Sequence, residues 1–229
     1  MRYPAIAISV FVTLAILGAT VHAQEETKAP GTGFYAGGHF GLNTASGSEI
    51  DGGTIPIDHD PLIGFGGVLG YDFGIFRVDG EIAFRINEAT RLGGTSLKPG
   101  SSSSRSSTSA FSFMVNGYFD IPTNGPVKPY IGGGIGFATV AIDWKAPGFF
   151  VFTHTPVADD SDSGLAYQFS AGLGFEVNPR ITWSFGFRHF ETEEMQMVFD
   201  GASPINAGLP FTMKYQSNEF NLGVRILFH

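Results

Sequence analysis

The chain has 229 residues, 43% hydrophobic and 14% aromatic, with 32 glycines, no cysteine and a formal net charge of −8. That hydrophobic content excludes an extended disordered chain. The acidic balance leaves no basic surplus to neutralise phosphates, which argues against a nucleic-acid partner, and the missing cysteines remove disulfides, thiolate metal sites and cysteine nucleophiles together. Charged residues reach only 15%, well below the roughly one quarter usual in soluble domains, so much of the surface is expected to face something other than water.

In chain order, Met1-Arg2-Tyr3-Pro4 is a short basic head, Ala5 to Ala19 runs without a charge, and Val21-His22-Ala23 has the small residues of a cleavage site. This is the layout of a secretory signal peptide over residues 1–23, cut after Ala23. An apolar run of about 15 residues is short of the roughly 20 that a spanning helix needs. Residues 24–32 then read as a short N-terminal segment on the periplasmic side of an exported protein.

From Gly33 onward the sequence divides into eight segments in which alternate residues are apolar. The cleanest is 76–86, where Phe76, Val78, Gly80, Ile82, Phe84 and Ile86 oppose Arg77, Asp79, Glu81, Ala83 and Arg85. Successive β side chains point to opposite faces, so this is a strand with one greasy and one ionic face. The same split occurs at 111–120, 165–176, 181–188 and 219–228, whereas 33–43, 62–72 and 128–142 are richer in glycine and alternate less cleanly. In most segments the face opposite the apolar one carries Gly, Ser, Ala and Asn with charges of both signs, which suits the inside of a narrow closed barrel; the apolar face then points into lipid. A soluble lipocalin-like barrel would have the reverse arrangement. The pattern therefore expects Val78, Ile82 and Phe84 outside, with Arg77, Glu81 and Arg85 inside.

Connection lengths point the same way. Short links near 73–75, 121–127 and 178–179 alternate with long ones at about 44–61, 87–108, 143–163 and 192–216. Tight turns at one end and extended loops at the other are the organisation of an outer-membrane barrel, with both termini at the short-turn end. Aromatic residues gather at the segment ends, with Phe34, Tyr71, Phe76, Phe119, Tyr130, Phe175 and Phe228 assigned to the short-turn side, as in the girdles found at membrane interfaces.

Several stretches carry a family resemblance: Gly33-Phe34-Tyr35-Ala36-Gly37-Gly38, Gly66 to Tyr71 with Asp72-Phe73-Gly74, Phe113 to Asp120, Lys128-Pro129-Tyr130-Ile131-Gly132-Gly133-Gly134-Ile135-Gly136, Phe185 to Phe190, and Leu222-Gly223-Val224-Arg225. In this order they resemble the small outer-membrane β-barrel superfamily of OmpA-type transmembrane domains and proteobacterial surface antigens. The resemblance implies an eight-stranded antiparallel up-and-down barrel over 33–229 in the outer membrane of a Gram-negative bacterium. The implied partners are membrane lipid, lipopolysaccharide and, during biogenesis, the barrel assembly machinery, with no cofactor. Such chains commonly end in Phe; here His229 follows Phe228. The peptidoglycan-binding domain of full-length OmpA is not expected beyond the eighth strand.

By parity, Arg77, Asp79, Glu81, Arg85, Asp120, Lys128, Glu176, Arg188, Glu219 and Arg225 point into the barrel. Five acids against five bases imply an interior ion-pair network, because buried charges are costly unless paired. The expected role is a structural plug rather than a gated ion path. His189, near the outer rim with Glu191 two residues on, lacks the nucleophile and acid that an acyl hydrolase needs beside it, so the sequence names no catalytic residue. Ser217 lies near the same rim but belongs to no motif. Loops one, three and four are acidic, and Asp159-Asp160-Ser161-Asp162 offers hard oxygen ligands without a full cation-loop pattern. The expected function is a structural surface barrel that supports the envelope and displays its loops. A narrow porin-like channel, or an adhesin whose loops bind an unidentified partner, is the alternative, and lipid A modification is disfavoured.

Overall fold

The computed structural model describes residues 31–45, 49–50, 55–92, 95–96, 106–147, 154–201 and 208–228. The leader, the 24–30 segment, His229 and the serine-rich part of loop two lie outside these residues. The described residues form thirteen strands: β1 (Gly33–Thr44), β2 (Glu49–Ile50), β3 (Ile55–Asp60), β4 (Leu62–Asp72), β5 (Phe76–Leu92), β6 (Thr95–Ser96), β7 (Ser107–Asp120), β8 (Val127–Pro147), β9 (His154–Asn178), β10 (Ile181–Thr192), β11 (Met195–Val198), β12 (Pro210–Lys214) and β13 (Gln216–Phe228).

Eight of them make the barrel. Each of β1, β4, β5, β7, β8, β9, β10 and β13 pairs antiparallel with the next, and β13 returns to β1 in a register running from Phe34↔Phe228 to Thr44↔Asn218. Closure leaves no unpaired edge to face hydrocarbon, where an unsatisfied backbone group has no water to turn to. The turns at 73–75 and 179–180 are tight. In the first, Asp72 Oδ1 accepts the Gly74 N–H at 2.8 Å, and Gly74 takes φ 103°, a left-handed conformation that favours glycine.

The faces divide as the parity expects. Ile82 is 53% exposed and Val78 46%, while Glu81 and Arg85 between and beyond them are fully buried. Aromatic rings meet across the lipid face at directly paired positions, Phe65 with Phe84 at 5.8 Å, Phe76 with Phe119 at 5.2 Å and Phe187 with Phe220 at 5.3 Å, contacts that help hold register. One girdle residue is placed differently. Tyr130 shares the inward parity of Lys128 and packs edge-on against Tyr118 inside the barrel at 5.9 Å. The glycines of 128–142 occupy both faces and hide the alternation there.

The stretches expected as long outer loops carry a second layer of structure. β8 and β9 continue as a hairpin beyond the membrane band, β11 pairs with β12, β12 with β2, β2 with β3, and β3 with the outer end of β5. Their inward side chains change from polar to apolar: Ile50, Val140, Ile142, Trp144, Met195, Met197, Phe211 and Met213 are buried in one cluster. Trp144 stacks on Phe211 with centroids 6.2 Å apart and donates from Nε1 to Thr108 Oγ1 at 3.0 Å. Alternation continues through Met195-Gln196-Met197-Val198-Phe199 and Phe211-Thr212-Met213-Lys214-Tyr215; in water the apolar side must turn inward, which gives this extension the polarity of a soluble β-fold.

Two substitutions test this layout. A Cβ at Gly134 would sit on Asn116 Oδ1, whereas at Gly133, on the lipid face, it meets only ordinary contacts at 3.5 Å and beyond. Gly134→Ala is expected to lose about 1–3 kcal/mol of urea stability in lipid through overpacking, and Gly133→Ala to stay close to wild type. Trp144→Ala should open the cap at the long-loop end to limited proteolysis, at a cost of about 3–5 kcal/mol to the cap, while the membrane part keeps its heat-dependent gel mobility.

Candidate functional site

The lumen is filled in layers along its axis. At the short-turn end Arg77 grips Asp120 through two bonds, Nε to Oδ2 at 2.6 Å and Nη2 to Oδ1 at 2.9 Å, the bidentate geometry that makes an arginine–carboxylate pair strong. Its guanidinium lies 4.5 Å from the centroid of Tyr118 and 5.4 Å from that of Tyr130. Lys128 and Glu176 pair at 2.5 Å at the mouth, their side chains 33% and 36% exposed. Arg225 Nη2 stands 3.7 Å from Asp72 Oδ2.

The middle layer is buried. Glu81 takes Arg188 at both carboxylate oxygens, 3.1 Å and 3.0 Å away, and sits within 3.4–3.5 Å of the amides of Asn116 and Gln168. Asn116 also donates to Asp79 Oδ1 at 2.9 Å, and Tyr35 donates to Asp79 Oδ2 at 2.7 Å. Gln168 Nε2 donates to Asn116 Oδ1 at 2.6 Å. Arg85 donates to Ser112 Oγ at 2.9 Å and lies 3.7 Å from Glu219. Residues from six strands, β1, β5, β7, β9, β10 and β13, thus meet in one network: the register sets Asp79 opposite Asn116 and Arg188 opposite Glu219, and closure of the barrel brings the others together across the lumen.

Glu219 is held differently from Glu81. Arg85, Arg188 and His39 surround it at 3.7–3.9 Å, but neither of its buried oxygens has a hydrogen-bond partner among the described residues. Above this layer the guanidinium of Arg85 lies 4.1 Å over the ring of Phe190, a cation–π contact that joins the ionic layer to neutral polar groups. There Asn43 and Asn87 both donate to the Tyr215 hydroxyl, at 3.3 and 2.7 Å. The apolar cap core closes the lumen beyond.

The ten residues selected by parity therefore fall into two groups, Arg77, Asp120, Lys128, Glu176 and Arg225 near the short turns, and Asp79, Glu81, Arg85, Arg188 and Glu219 in mid-barrel. One carboxylate and one histidine of the network escaped sequence reasoning. Asp72 is in phase with Val68 and Gly70, but it reads as a turn residue. His39 sits in a glycine-rich strand whose alternation is weak. Asn116 and Gln168 stand on the expected polar face without announcing that they bridge charges.

On the outside, His189 Nδ1 meets Asn218 Oδ1 at 2.9 Å and its Nε2 lies 3.5 Å from Glu191 Oε2, which also pairs with Lys214. Ser217 is buried on the inner face opposite Phe190, on the other side of the sheet from this histidine. In the acidic run, Asp162 Oδ2 accepts the Gln196 N–H and Asp160 Oδ2 the Val198 N–H, both at 2.9 Å. The run is thus used to stitch β9 to β11, and among the described residues no three His, Asp or Glu side chains gather as a metal site.

The contrast between the two glutamates predicts unequal consequences. Removing one partner of a buried, hydrogen-bonded pair costs roughly 3–5 kcal/mol, so Glu81→Gln or Arg188→Met should lower urea stability by about that amount. Glu219→Gln should cost clearly less, because it gives up no hydrogen bond. Equal losses for Glu81→Gln and Glu219→Gln would contradict the geometry.

Uncharacterized proteins of Brucella abortus and Brucella suis are 30% identical over 89 residues, which cover 37% of this chain and 31% of theirs, so the matched stretch spans about a third of those relatives. Among solved structures, OprG from Pseudomonas aeruginosa superposes with a TM-score of 0.56 at 12% identity, covering 89% of this chain and all of that one. Neisserial surface protein A gives 0.51 at 16% identity, covering 85% of this chain and 97% of that one. At such identities the likeness is one of fold. The outer membrane protein beta-barrel domain model matches residues 11–228, and with a closed eight-stranded barrel whose apolar side faces outward, the chain belongs to that family.

Proposed function

We propose that this outer-membrane barrel is a non-conducting structural protein that supports the envelope and carries a folded β-cap at the cell surface. The observation behind this reading is the double seal of the lumen. The Glu81–Arg188 layer is buried and cross-bonded, and the apolar cluster around Trp144 and Phe211 fills the barrel above it. An ion crossing the barrel would have to break desolvated charge pairs and then pass through packed hydrocarbon, two barriers of different physical kind. The apolar exterior suits contact with membrane lipid, and in this reading the surface of the cap is what lipopolysaccharide and external partners meet. Exposed structure on a rigid scaffold is where recognition usually resides.

Purified protein in planar bilayers should show no steady conductance under applied voltage, and liposomes containing it should not swell in small sugars. Sustained openings on the nanosiemens scale from the monomer would overturn the reading in favour of a channel.

A further inference from the structure

Between the sealed middle layer and the short turns the lumen holds a cavity of about 80 Å³, room for a few waters or one small ion. Its walls are unevenly satisfied. Each oxygen of the two carboxylates that line it already has a donor: Asp79 accepts from Tyr35 and Asn116, and Asp120 takes two bonds from Arg77. The donors are not so matched. Among the described residues the Arg225 guanidinium makes no hydrogen bond, its nearest carboxylate being Asp72 at 3.7 Å and its nearest ring Tyr35 with a centroid 5.3 Å away. The hydroxyls of Tyr118, Tyr130, Thr182 and Ser184 line the same space, likewise without a hydrogen bond among the described residues. Four cationic side chains reach the cavity; Arg77, Lys128 and Arg188 are held at hydrogen-bond distance by Asp120, Glu176 and Glu81, and Arg225 is not so held. A partly desolvated wall with spare donors, one of them an arginine without a hydrogen bond, favours a group that only accepts.

We propose that this cavity binds a small water-soluble oxyanion, a free phosphate or a compound carrying a phosphate or carboxylate group, entering from the periplasmic end. Arg225 supplies the charge-assisted contact and the hydroxyls of Tyr130 and Thr182 complete the cradle. Lys128 stands at the mouth, partly exposed and paired with Glu176. The Glu81–Arg188 layer closes the far side, so the anion enters and leaves by the same opening and the site does not require transport.

The test is calorimetric titration of the folded barrel in dodecyl maltoside, a phosphate-free detergent, with inorganic phosphate at low salt. Wild type should bind saturably at one site. Arg225→Gln should weaken binding at least tenfold, and the double variant Tyr130→Phe/Thr182→Val, which removes two hydroxyls and keeps the shapes, several-fold. Arg91→Gln, exposed at the outer end, should leave it unchanged. Heat-dependent gel mobility establishes that each variant is folded, and the double variant decides if Arg225→Gln does not fold. Absence of saturable phosphate binding in wild type, or unchanged affinity in the folded lumen variants, overturns the proposal. A soluble short-chain phospholipid that binds tighter than phosphate and depends on Arg225 also overturns it, because the site would then be one for lipid headgroups. Neither readout involves conductance, so the outcome is separate from that of the bilayer experiment.

Discussion

Charge placed where water cannot follow must find its counter-charge inside the protein, and this constraint organises the barrel. Eight strands enclose a lumen so narrow that Glu81, Arg85, Arg188 and Glu219 are nearly or wholly removed from solvent. Each such ion carries a desolvation penalty of several kcal/mol, recovered only by good geometry. Glu81 recovers it through two arginine bonds and two amides. Glu219 does so by position alone, among Arg85, Arg188 and His39. The pairing fixes register as well, since a slip by one residue would turn these side chains into lipid.

The barrel also has to satisfy two solvents along its length. Within the membrane band the outside is hydrocarbon, so apolar side chains face outward and polar ones inward. Beyond the band the outside is water, and the same strands reverse: Val140, Ile142 and Trp144 of β8 are buried, while Thr139 of β8 and Asp159, Ser161 and Ser163 of β9, on the opposite face, are exposed. The period of two persists through the reversal. What changes is which phase is apolar, and the switch falls near Thr108, Tyr215 and Phe190, where neutral polar groups separate the ionic layer from the apolar one.

Cross-strand geometry accounts for details that composition leaves open. Asp160 and Asp162 replace ladder acceptors for Gln196 and Val198, so an acidic run resembling a cation loop serves as a seam. The inward glycines of β8 accommodate the side chains opposite: Gly132 faces the Tyr118 ring and Gly134 the Asn116 amide. The lumen is therefore filled chiefly from β5, β7, β9, β10 and β13, and β8 yields the room.

Alternation, loop asymmetry and balanced charge were enough to determine from the chain alone that it closes as an eight-stranded barrel with Ile82 outside and Glu81 inside, because a strand's two faces follow from parity and lipid admits only one of them. The segments at 33–43, 62–72 and 128–142 resisted that reading, since glycine carries no facial preference, and so His39, Asp72 and the inward turn of Tyr130 went unseen. Which charge meets which partner lay wholly outside local pattern: Arg188 and Glu81 are 107 residues apart on strands that do not pair, and only closure of the barrel brings them together across the lumen. The cap too was decided in three dimensions, because Ile50, Trp144 and the pair Met195 and Phe211 come from three separate loops and acquire a shared core only after the barrel has set their strands side by side.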